Sequence, residues 1–365
     1  MLWRLAALWI YVWICMWICI ACNSLAASSQ FERRRIGGVG SISGYAVDGR
    51  TLFTWGDGIQ RRNLPDGAPE TIARGNYTEA GCLMDVDGDG KLDLIVNESG
   101  EHPRLIWLHA PEWSRRVIDT GVDSVDLISA TLFGRRGVLL VHKRNQVRFY
   151  EAPQDALQRP SQRWPENELY SFYTPSDEGG LRMADVDGDG LPDILCGNYW
   201  IQSPKEFGLP WHLFAIDLWS EVKSSALLRL GWADLLGSGA SNRIAVQRAM
   251  SHARLAWFEK PPDPKQLWLA HALAQDLDLA EPSSLDVADF DGDGKPDILV
   301  AERSGDGRLI IFYNDGHGGF IPKVIVRTEG IIAAIPMVTG TRGWTDILVI
   351  GKHNLTWWEN RRGGK

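Results

Sequence analysis

The residues best suited to chemistry form three acidic segments with the pattern D-x-D-x-D-G-x-x-D, at residues 85–93, 185–193 and 289–297. Carboxylates at positions 1, 3 and 5 converge when such a segment curls into a loop, and the glycine at position 6 allows the sharp turn. Position 7 offers its backbone carbonyl, and the aspartate at position 9 closes the site. These oxygen ligands suit calcium, a hard cation that takes about six to eight of them. The pattern therefore predicts three calcium sites.

The predicted ligands are four carboxylates and one backbone carbonyl in each loop. In chain order they are Asp85, Asp87, Asp89, the carbonyl of Lys91 and Asp93; Asp185, Asp187, Asp189, the carbonyl of Leu191 and Asp193; and Asp289, Asp291, Asp293, the carbonyl of Lys295 and Asp297. A turn that is merely acidic is the alternative, but carboxylates packed this closely repel one another unless a cation neutralises them. We expect affinities on the order of 10⁻⁴–10⁻³ M, as in extracellular calcium modules.

An EF-hand loop begins in the same way, but it needs a glutamate at position 12 and flanking helices. Position 12 is Val96, Cys196 and Val300 in the three segments, within apolar stretches typical of strands. The segments are therefore predicted to be hairpin loops between strands.

The three loops belong to a repeat of about fifty residues, a period typical of β-propeller blades. They lie 100 and 104 residues apart, and eroded copies occur at residues 130–141, 234–246 and 338–349. An aromatic residue recurs at one strand position of successive repeats: Trp107, Phe149, Trp200, Trp257, Phe312 and Trp357. These aromatic side chains are expected to pack one blade against the next.

The predicted fold class is all-β, a propeller of seven four-stranded blades in a single domain over residues 27–365. Six blades is the alternative, if residues 38–75 do not form a full sheet. The chain ends on the third strand of a repeat, and residues 31–36 (FERRRI) resemble the fourth strand at residues 113–118 (WSRRVI). The N-terminal strand is therefore expected to pair with the last blade and close the ring, which leaves no open sheet edge.

At this point the chain resembles the FG-GAP or VCBS-type repeat proteins, whose calcium-binding propeller also occurs in integrin alpha subunits. The loop motif carries the resemblance, which covers nearly all of residues 31–365. It implies an extracellular propeller with mainly structural calcium ions in the hairpin loops of one face. It also implies that a ligand is engaged on the opposite face.

Residues 1–26 read as a secretory signal peptide, with Arg4, an apolar run and small residues before a cleavage site after Ala26. A retained membrane anchor and a lipid-modified Cys22 are the alternatives. Each of them predicts a secreted, periplasmic or cell-surface protein, and membrane contact only if the segment is retained or lipidated. A net charge of −8 argues against nucleic acid as a partner, because phosphate binding favours a basic surface.

The turns between the second and third strands of the repeats gather cationic residues, although turns are polar in any protein. The candidate ligand-binding residues there are His142, Lys143, Arg144, Arg248, His252, Arg254, Arg303, Lys352 and His353. They favour an anionic extracellular or cell-envelope ligand, such as an acidic polysaccharide or a protein. The sequence thus predicts a non-catalytic binding or adhesion module.

A carbohydrate-active enzyme on a propeller scaffold, of the polysaccharide lyase or sugar dehydratase type, is the alternative. It would need a general base and acid together with a charge-neutralising group. His142, His252, Arg254 and His353 could supply these groups if they share one pocket. No recognised catalytic motif supports this reading, and a purely structural envelope protein is a third possibility.

Overall fold

The computed structural model describes residues 30–159, 162–172, 180–217, 228–273, 276–338 and 343–361. All the regular secondary structure named within these ranges is β-strand. The strands are β1 (Phe31–Gly38), β2 (Ile42–Asp48), β3 (Thr51–Asn63), β4 (Glu70–Met84), β5 (Asp93–Glu98), β6 (Arg104–His109), β7 (Ser114–Thr120), β8 (Ser124–Leu132), β9 (Arg135–His142), β10 (Gln146–Glu151), β11 (Glu166–Ser171), β12 (Leu181–Ala184), β13 (Asp193–Cys196), β14 (Tyr199–Gln202), β15 (His212–Ala215), β16 (Leu228–Ala233), β17 (Asn242–Gln247), β18 (Leu255–Glu259), β19 (Leu269–Ala272), β20 (Pro282–Ala288), β21 (Asp297–Glu302), β22 (Arg308–Asn314), β23 (Phe320–Arg327), β24 (Ile331–Val338), β25 (Thr345–Gly351) and β26 (Asn354–Asn360). Within the described ranges no helix is long and apolar enough to cross a membrane. Residues 1–26, where the signal peptide is predicted, lie outside these ranges.

The strands form six four-stranded antiparallel blades around a central axis. The blades are β4–β7, β8–β11, β12–β15, β16–β19, β20–β23, and β24–β26 with β1. The first strands of successive blades lie next to one another, so β4, β8, β12, β16, β20 and β24 form the inner wall of the ring. The predicted all-β propeller is confirmed.

The number of four-stranded blades is six, not seven, so the alternative count is the correct one. Residues 38–75 contribute β2, β3 and only the first part of β4, whose second part pairs with β5 in the next blade. This three-stranded unit fills the gap between two blades. Leu52 and Leu64 pack on the last blade, and Phe53 and Trp55 pack on the β4–β7 blade. It lacks a fourth strand because β4 continues directly into the next blade.

The N-terminal strand closes the ring, as predicted. β1 pairs antiparallel with β26, from Phe31 opposite Asn360 to Gly38 opposite Asn354. The Gln30 side chain adds a hydrogen bond to the Phe290 carbonyl (2.9 Å) in the neighbouring blade. The last blade therefore consists of strands from both ends of the chain.

The recurring aromatic residues pack between blades, also as predicted. Trp107, Trp200 and Trp257 are each at most 2% exposed. Each belongs to a core cluster that it shares with apolar residues of the following blade, which include Leu140 for Trp107, Leu230 for Trp200 and Leu285 for Trp257. Burial of these large rings in the blade interfaces is a major stabilising contribution to the ring.

The antiparallel order of each blade fixes which turns share an end of the propeller. All first strands run in the same direction along the axis, so the hairpin loops that follow them lie at one end, the loop face. The turns between second and third strands lie at the other end, the cavity face. Side-chain hydrogen bonds join neighbouring blades at the loop face. The Lys260 ammonium donates to the Val186 carbonyl (2.9 Å), and the Asn314 amide donates to the Leu235 carbonyl (2.9 Å).

Candidate functional site

Each acidic loop is held in shape by its own backbone. In the first loop Asp85 accepts hydrogen bonds from the N–H groups of Gly88 (2.7 Å) and Gly90 (3.1 Å), and Asp89 accepts one from Lys91 (2.8 Å). Both glycines have a left-handed φ, 80° and 85°, which other residues adopt only with strain. The same bonds recur in the other loops, to Asp185 from Gly188 and Gly190 and to Asp289 from Gly292 and Gly294.

The folded loops bring carboxylate oxygens together. In each loop, one oxygen from each of three aspartates lies within 4.8 Å of the others: Asp85, Asp87 and Asp89; Asp185, Asp187 and Asp193; and Asp289, Asp291 and Asp297. All these donors are hard oxygens, the donor type that calcium requires. The residues present therefore fit a calcium ion, and the carbonyls of Lys91, Leu191 and Lys295 stay predicted ligands.

The aspartate at position 9 also joins its loop to the rest of the blade. Asp93 accepts hydrogen bonds from the backbone N–H groups of Val86 (3.2 Å) and Ala110 (2.7 Å), at the start of the loop and after the third strand. The same pair of bonds recurs at Asp193, from Val186 and Ser203, and at Asp297, from Phe290 and Asn314. Burial raises the pKa of Asp193 and of Asp297 to about 6, and the neighbouring loop carboxylates add to this increase.

The eroded loop at residues 234–242 keeps the hairpin but not the carboxylate cluster. Asp234 still accepts a hydrogen bond from the Ser238 N–H (3.0 Å), while Leu236 and Ser238 replace the aspartates at positions 3 and 5. Asn242 stands at position 9 and accepts a hydrogen bond from the Lys260 N–H (3.1 Å). The hydrogen bond from the residue after the third strand to the side chain at position 9 is therefore kept in a loop that lacks the predicted metal ligands at positions 3 and 5.

The nine cationic candidates lie in or beside four turns of the cavity face, but they do not form one cluster. Lys143, Arg144, Lys352 and His353 are exposed on two of these turns. His252 is exposed beside Asp278 (3.1 Å), and Arg254 pairs with Asp217 (3.2 Å). Only Arg248 and Arg303 among the nine reach the axial cavity described below.

His142 is buried within its own blade and is not a surface ligand. Its Nδ1 accepts a hydrogen bond from the Asp123 N–H (3.3 Å). Burial, together with nearby Arg148 and Lys143, lowers the pKa of His142 to about 4, so the imidazole is neutral at pH 7. His142, His252 and His353 lie on three different blades. These histidines therefore do not assemble the pocket that the enzyme alternative required.

A cavity of about 330 Å³ opens on the axis at the cavity face. Seven inner strands contribute to its wall, because β2 of the three-stranded unit joins the six first strands of the blades. Arg182, Arg229 and Arg303 line it, and Arg248 reaches it through Glu79. Its volume is at the small end of ligand pockets, which span about 300–1,000 Å³.

The arginines are held in place by few acidic groups. Glu79 pairs with both Arg229 and Arg248, the latter at 3.0 Å. Burial and the neighbouring Arg248 lower the pKa of Arg229 to about 10, and burial likewise lowers that of Arg303, yet both stay cationic at pH 7. The Arg303 Nε is buried and has no hydrogen-bond partner among the described residues. A buried donor normally has a hydrogen-bond partner, so this one marks a place where a partner is missing among the described residues.

Two further carboxyls in the wall have raised pKa values. Burial raises the pKa of Asp286 to about 7, although Arg182 and Arg229 oppose the shift. Burial also raises the pKa of Asp126, which accepts hydrogen bonds from the Gly180 and Leu181 N–H groups (both 2.8 Å). With Glu281 near Arg248 and Arg303, four carboxyls face the four arginines among the described residues, and the net charge is positive to the extent that Asp286 is protonated.

Sequence reasoning missed Arg182, Arg229, Glu79 and Asp286 as site residues, because they lie on inner strands and not in turns. A structural signal marks this end of the inner strands. The inner strand has one extra residue in its pairing with the next strand at Ser43, Val125, Ser283 and Ile332. All four of these bulge residues line the cavity. Bulges are frequent beside functional sites because they redirect side chains.

Residues 289–338, which hold the third acidic loop, β21–β23 and the first strand of the next blade, β24, match the FG-GAP-like repeat family. The chain therefore carries an FG-GAP-like repeat within a β-propeller. The match covers one repeat, and similar carboxylate clusters occur in the loops of two further blades. No curated protein matches the chain.

The chain is also similar to solved structures. YCF48 from Cyanidioschyzon merolae aligns with a TM-score of 0.52 and 9% identity, over 91% of this chain and 99% of that one. An Agrocybe aegerita lectin, described as recognising non-reducing terminal N-acetylglucosamine, aligns with a TM-score of 0.47 and 15% identity, over 88% and 86%. At these identities the likeness concerns the fold alone.

Proposed function

We propose that this propeller is an exported, calcium-stabilised binding module that takes an anionic extracellular ligand in the axial cavity. The observation that carries the proposal is the group of four arginines at the cavity, with an unused donor at Arg303. Guanidinium groups bind carboxylates and phosphates through paired hydrogen bonds, and they do so most strongly where water is partly excluded. An acidic polysaccharide chain end fits the size and charge of the cavity.

Binding of oligogalacturonate, a uronic acid oligomer, tests the ligand part of the proposal by isothermal titration calorimetry. Arg303→Ala removes a cavity arginine without breaking the Glu79 pairs, so we expect about a tenfold loss of affinity. Arg144→Ala, on an exposed turn of the same face, is the matched control and should bind as wild type does. A loss of affinity in Arg144→Ala with none in Arg303→Ala would show that the ligand binds at the outer turns and not in the cavity. A neutral oligosaccharide of equal length should not bind.

The calcium part of the proposal rests on three clusters of converging carboxylates. When bound, calcium would neutralise these carboxylates, so that each loop is stable without mutual repulsion. At a calcium concentration ten times the dissociation constant, each site adds about 1.4 kcal/mol to the free energy of unfolding. Three sites together then give about 4 kcal/mol.

A thermal melt in 10 mM calcium and in EGTA tests this part. We expect calcium to raise the melting temperature by about 5–10 °C. Magnesium at the same concentration should raise it less, because magnesium demands near-octahedral geometry and keeps its waters. Equal responses to the two ions, or no response, would contradict specific calcium sites.

A further inference from the structure

We propose that Glu79 is a resident carboxylate, one that occupies the ligand's place between Arg229 and Arg248, and that the ligand group entering the cavity is itself a carboxylate. This inference rests on the proposed function. It adds the chemical class of the ligand group, a carboxylate, and the step that precedes binding, the displacement of Glu79 from the two arginines. The residues involved come from opposite sides of the ring.

The contacts of Glu79 cross the axis. Glu79 lies on β4, whereas Arg229 lies on β16 and Arg248 follows β17 of the same blade. β8 and β12 separate β4 from β16 on one side, and β20, β24 and β2 separate them on the other. An ion pair between non-adjacent blades is not needed to hold neighbouring blades together. It spans the axis at the cavity instead.

The backbone of β4 is shaped to deliver Glu79 to this position. The other bulged inner strands have one extra residue at the cavity mouth, but β4 has three residues, 78–80, opposite Asn97 alone. The wide bulge is held by the Trp55 indole N–H, which donates to the Thr78 carbonyl (3.0 Å), and by the Ala80 N–H, which donates to the Thr78 hydroxyl (3.3 Å). A bulge re-aims the side chain that it carries, here toward the two arginines.

The exposures of the three side chains show which partner can leave. Arg248 is 12% exposed and Arg229 is 21% exposed, whereas the Glu79 side chain is 35% exposed. Arg229 is held further by its Nε, which donates to the Ser283 carbonyl (3.2 Å). The arginines are therefore the fixed part of the site, and the carboxylate is the more accessible part.

The pairing also selects a carboxylate over other anions. One Glu79 oxygen accepts from Arg229 and the other from Arg248, so the two guanidinium groups are spaced for the two oxygens of one planar carboxylate. A ligand carboxylate can take the same two hydrogen bonds. A tetrahedral sulfate presents its oxygens in a different geometry. Because the ligand must first displace Glu79, its apparent affinity is reduced by the fraction of molecules in which the arginines are free.

Glu79→Gln and Glu79→Ala test this inference with two probes, oligogalacturonate and propionate. The Glu79→Gln substitution keeps the shape of the side chain but leaves the arginines without their anion, so oligogalacturonate should bind about tenfold more tightly than to wild type. In Glu79→Ala the space left by the side chain should accept propionate, which raises the melting temperature of this variant but not of wild type. Glu101→Gln, at an exposed acid in another turn of the cavity face, should show neither effect.

The outcomes separate this inference from the proposed function. If propionate stabilises Glu79→Ala while neither wild type nor a variant binds oligogalacturonate, the role of Glu79 as a resident carboxylate is supported and the acidic polysaccharide is excluded as the ligand. If wild type binds oligogalacturonate through Arg303 but Glu79→Gln binds it no more tightly, the resident carboxylate is wrong. An equal response of Glu79→Ala to propionate and sulfate also overturns it. If Glu79→Ala does not fold, Glu79→Gln with oligogalacturonate decides the question.

Discussion

The two ends of this propeller hold charged sites that are built in opposite ways. On the loop face each site comes from nine consecutive residues, such as 185–193, and one blade suffices to form it. On the cavity face Glu79, Arg182, Arg229 and Arg303 come from four different blades. A local site can therefore be lost in one repeat without harm to the others. A shared site exists only when the ring closes.

The loop at residues 185–193 and the eroded loop at residues 234–242 make the same point on a smaller scale. Both fold as hairpins, and both keep the position 9 bond to the residue after the third strand, through Asp193 or Asn242. What differs is the pair of carboxylates at positions 3 and 5. Position 9 thus holds the loop to its blade whether or not positions 3 and 5 carry carboxylates.

The largest expected effect comes from Asp193→Ala. Two buried backbone N–H groups, those of Val186 and Ser203, lose their acceptor. We expect a loss of about 3 kcal/mol in the free energy of unfolding, in EGTA as well as in calcium, measured by urea denaturation. Asn242→Ala removes a single bond and should cost about 1 kcal/mol. If Asp193→Ala costs nothing in EGTA, position 9 serves the cation alone.

An intermediate effect is expected on the cavity face from Asp286→Asn. The pKa of Asp286 is about 7 in the folded protein, against an ordinary aspartate value of 3.8 that we take for the unfolded chain. The folded state therefore holds the proton more tightly, and the stability it contributes below pH 4 is lost as the pH rises to about 7. The amide of the variant cannot titrate, so between pH 4 and 8 the variant should gain about 2 kcal/mol relative to wild type, allowing for water in the cavity.

The control for this pH series is Asp48→Asn, at an exposed position outside the cavity. Its stability should follow that of wild type at every pH. Melts of the three proteins at pH 4, 6 and 8 in saturating calcium make the comparison. A constant difference between Asp286→Asn and wild type across this range would show that the Asp286 carboxyl titrates normally.

The smallest effect sharpens the comparison between intact and eroded loops. Asp189→Asn removes one predicted calcium ligand and keeps an oxygen for the Leu191 N–H. In EGTA its stability should match that of wild type, while the stabilisation by calcium should fall by about 1.4 kcal/mol, the share of one site. Asp234→Asn, in the eroded loop, should leave the calcium response unchanged. An equal loss in both variants would mean that the eroded loop also binds calcium.

Features that are local or repeated could be predicted from the sequence alone. The loop pattern, the period of about fifty residues, the interblade tryptophans and the closing strand at residues 31–36 could be predicted because each depends on neighbouring residues or on one repeat compared with the next. The blade count failed at residues 38–75, where β4 runs on into the next blade. Strand propensity does not reveal whether one long strand serves one sheet or two.

The tertiary structure alone decided the axial cavity. Arg229 and Glu79 are 150 residues apart, and no spacing rule connects them. Their meeting depends on ring closure, on the register of the inner strands and on the wide bulge in β4. Among the predicted cationic residues, only Arg248 and Arg303 reach the axis, because the distance of a turn from the axis depends on how the blades are inclined and packed. The charge of a residue can be read from the sequence, but its distance from residues in other blades cannot.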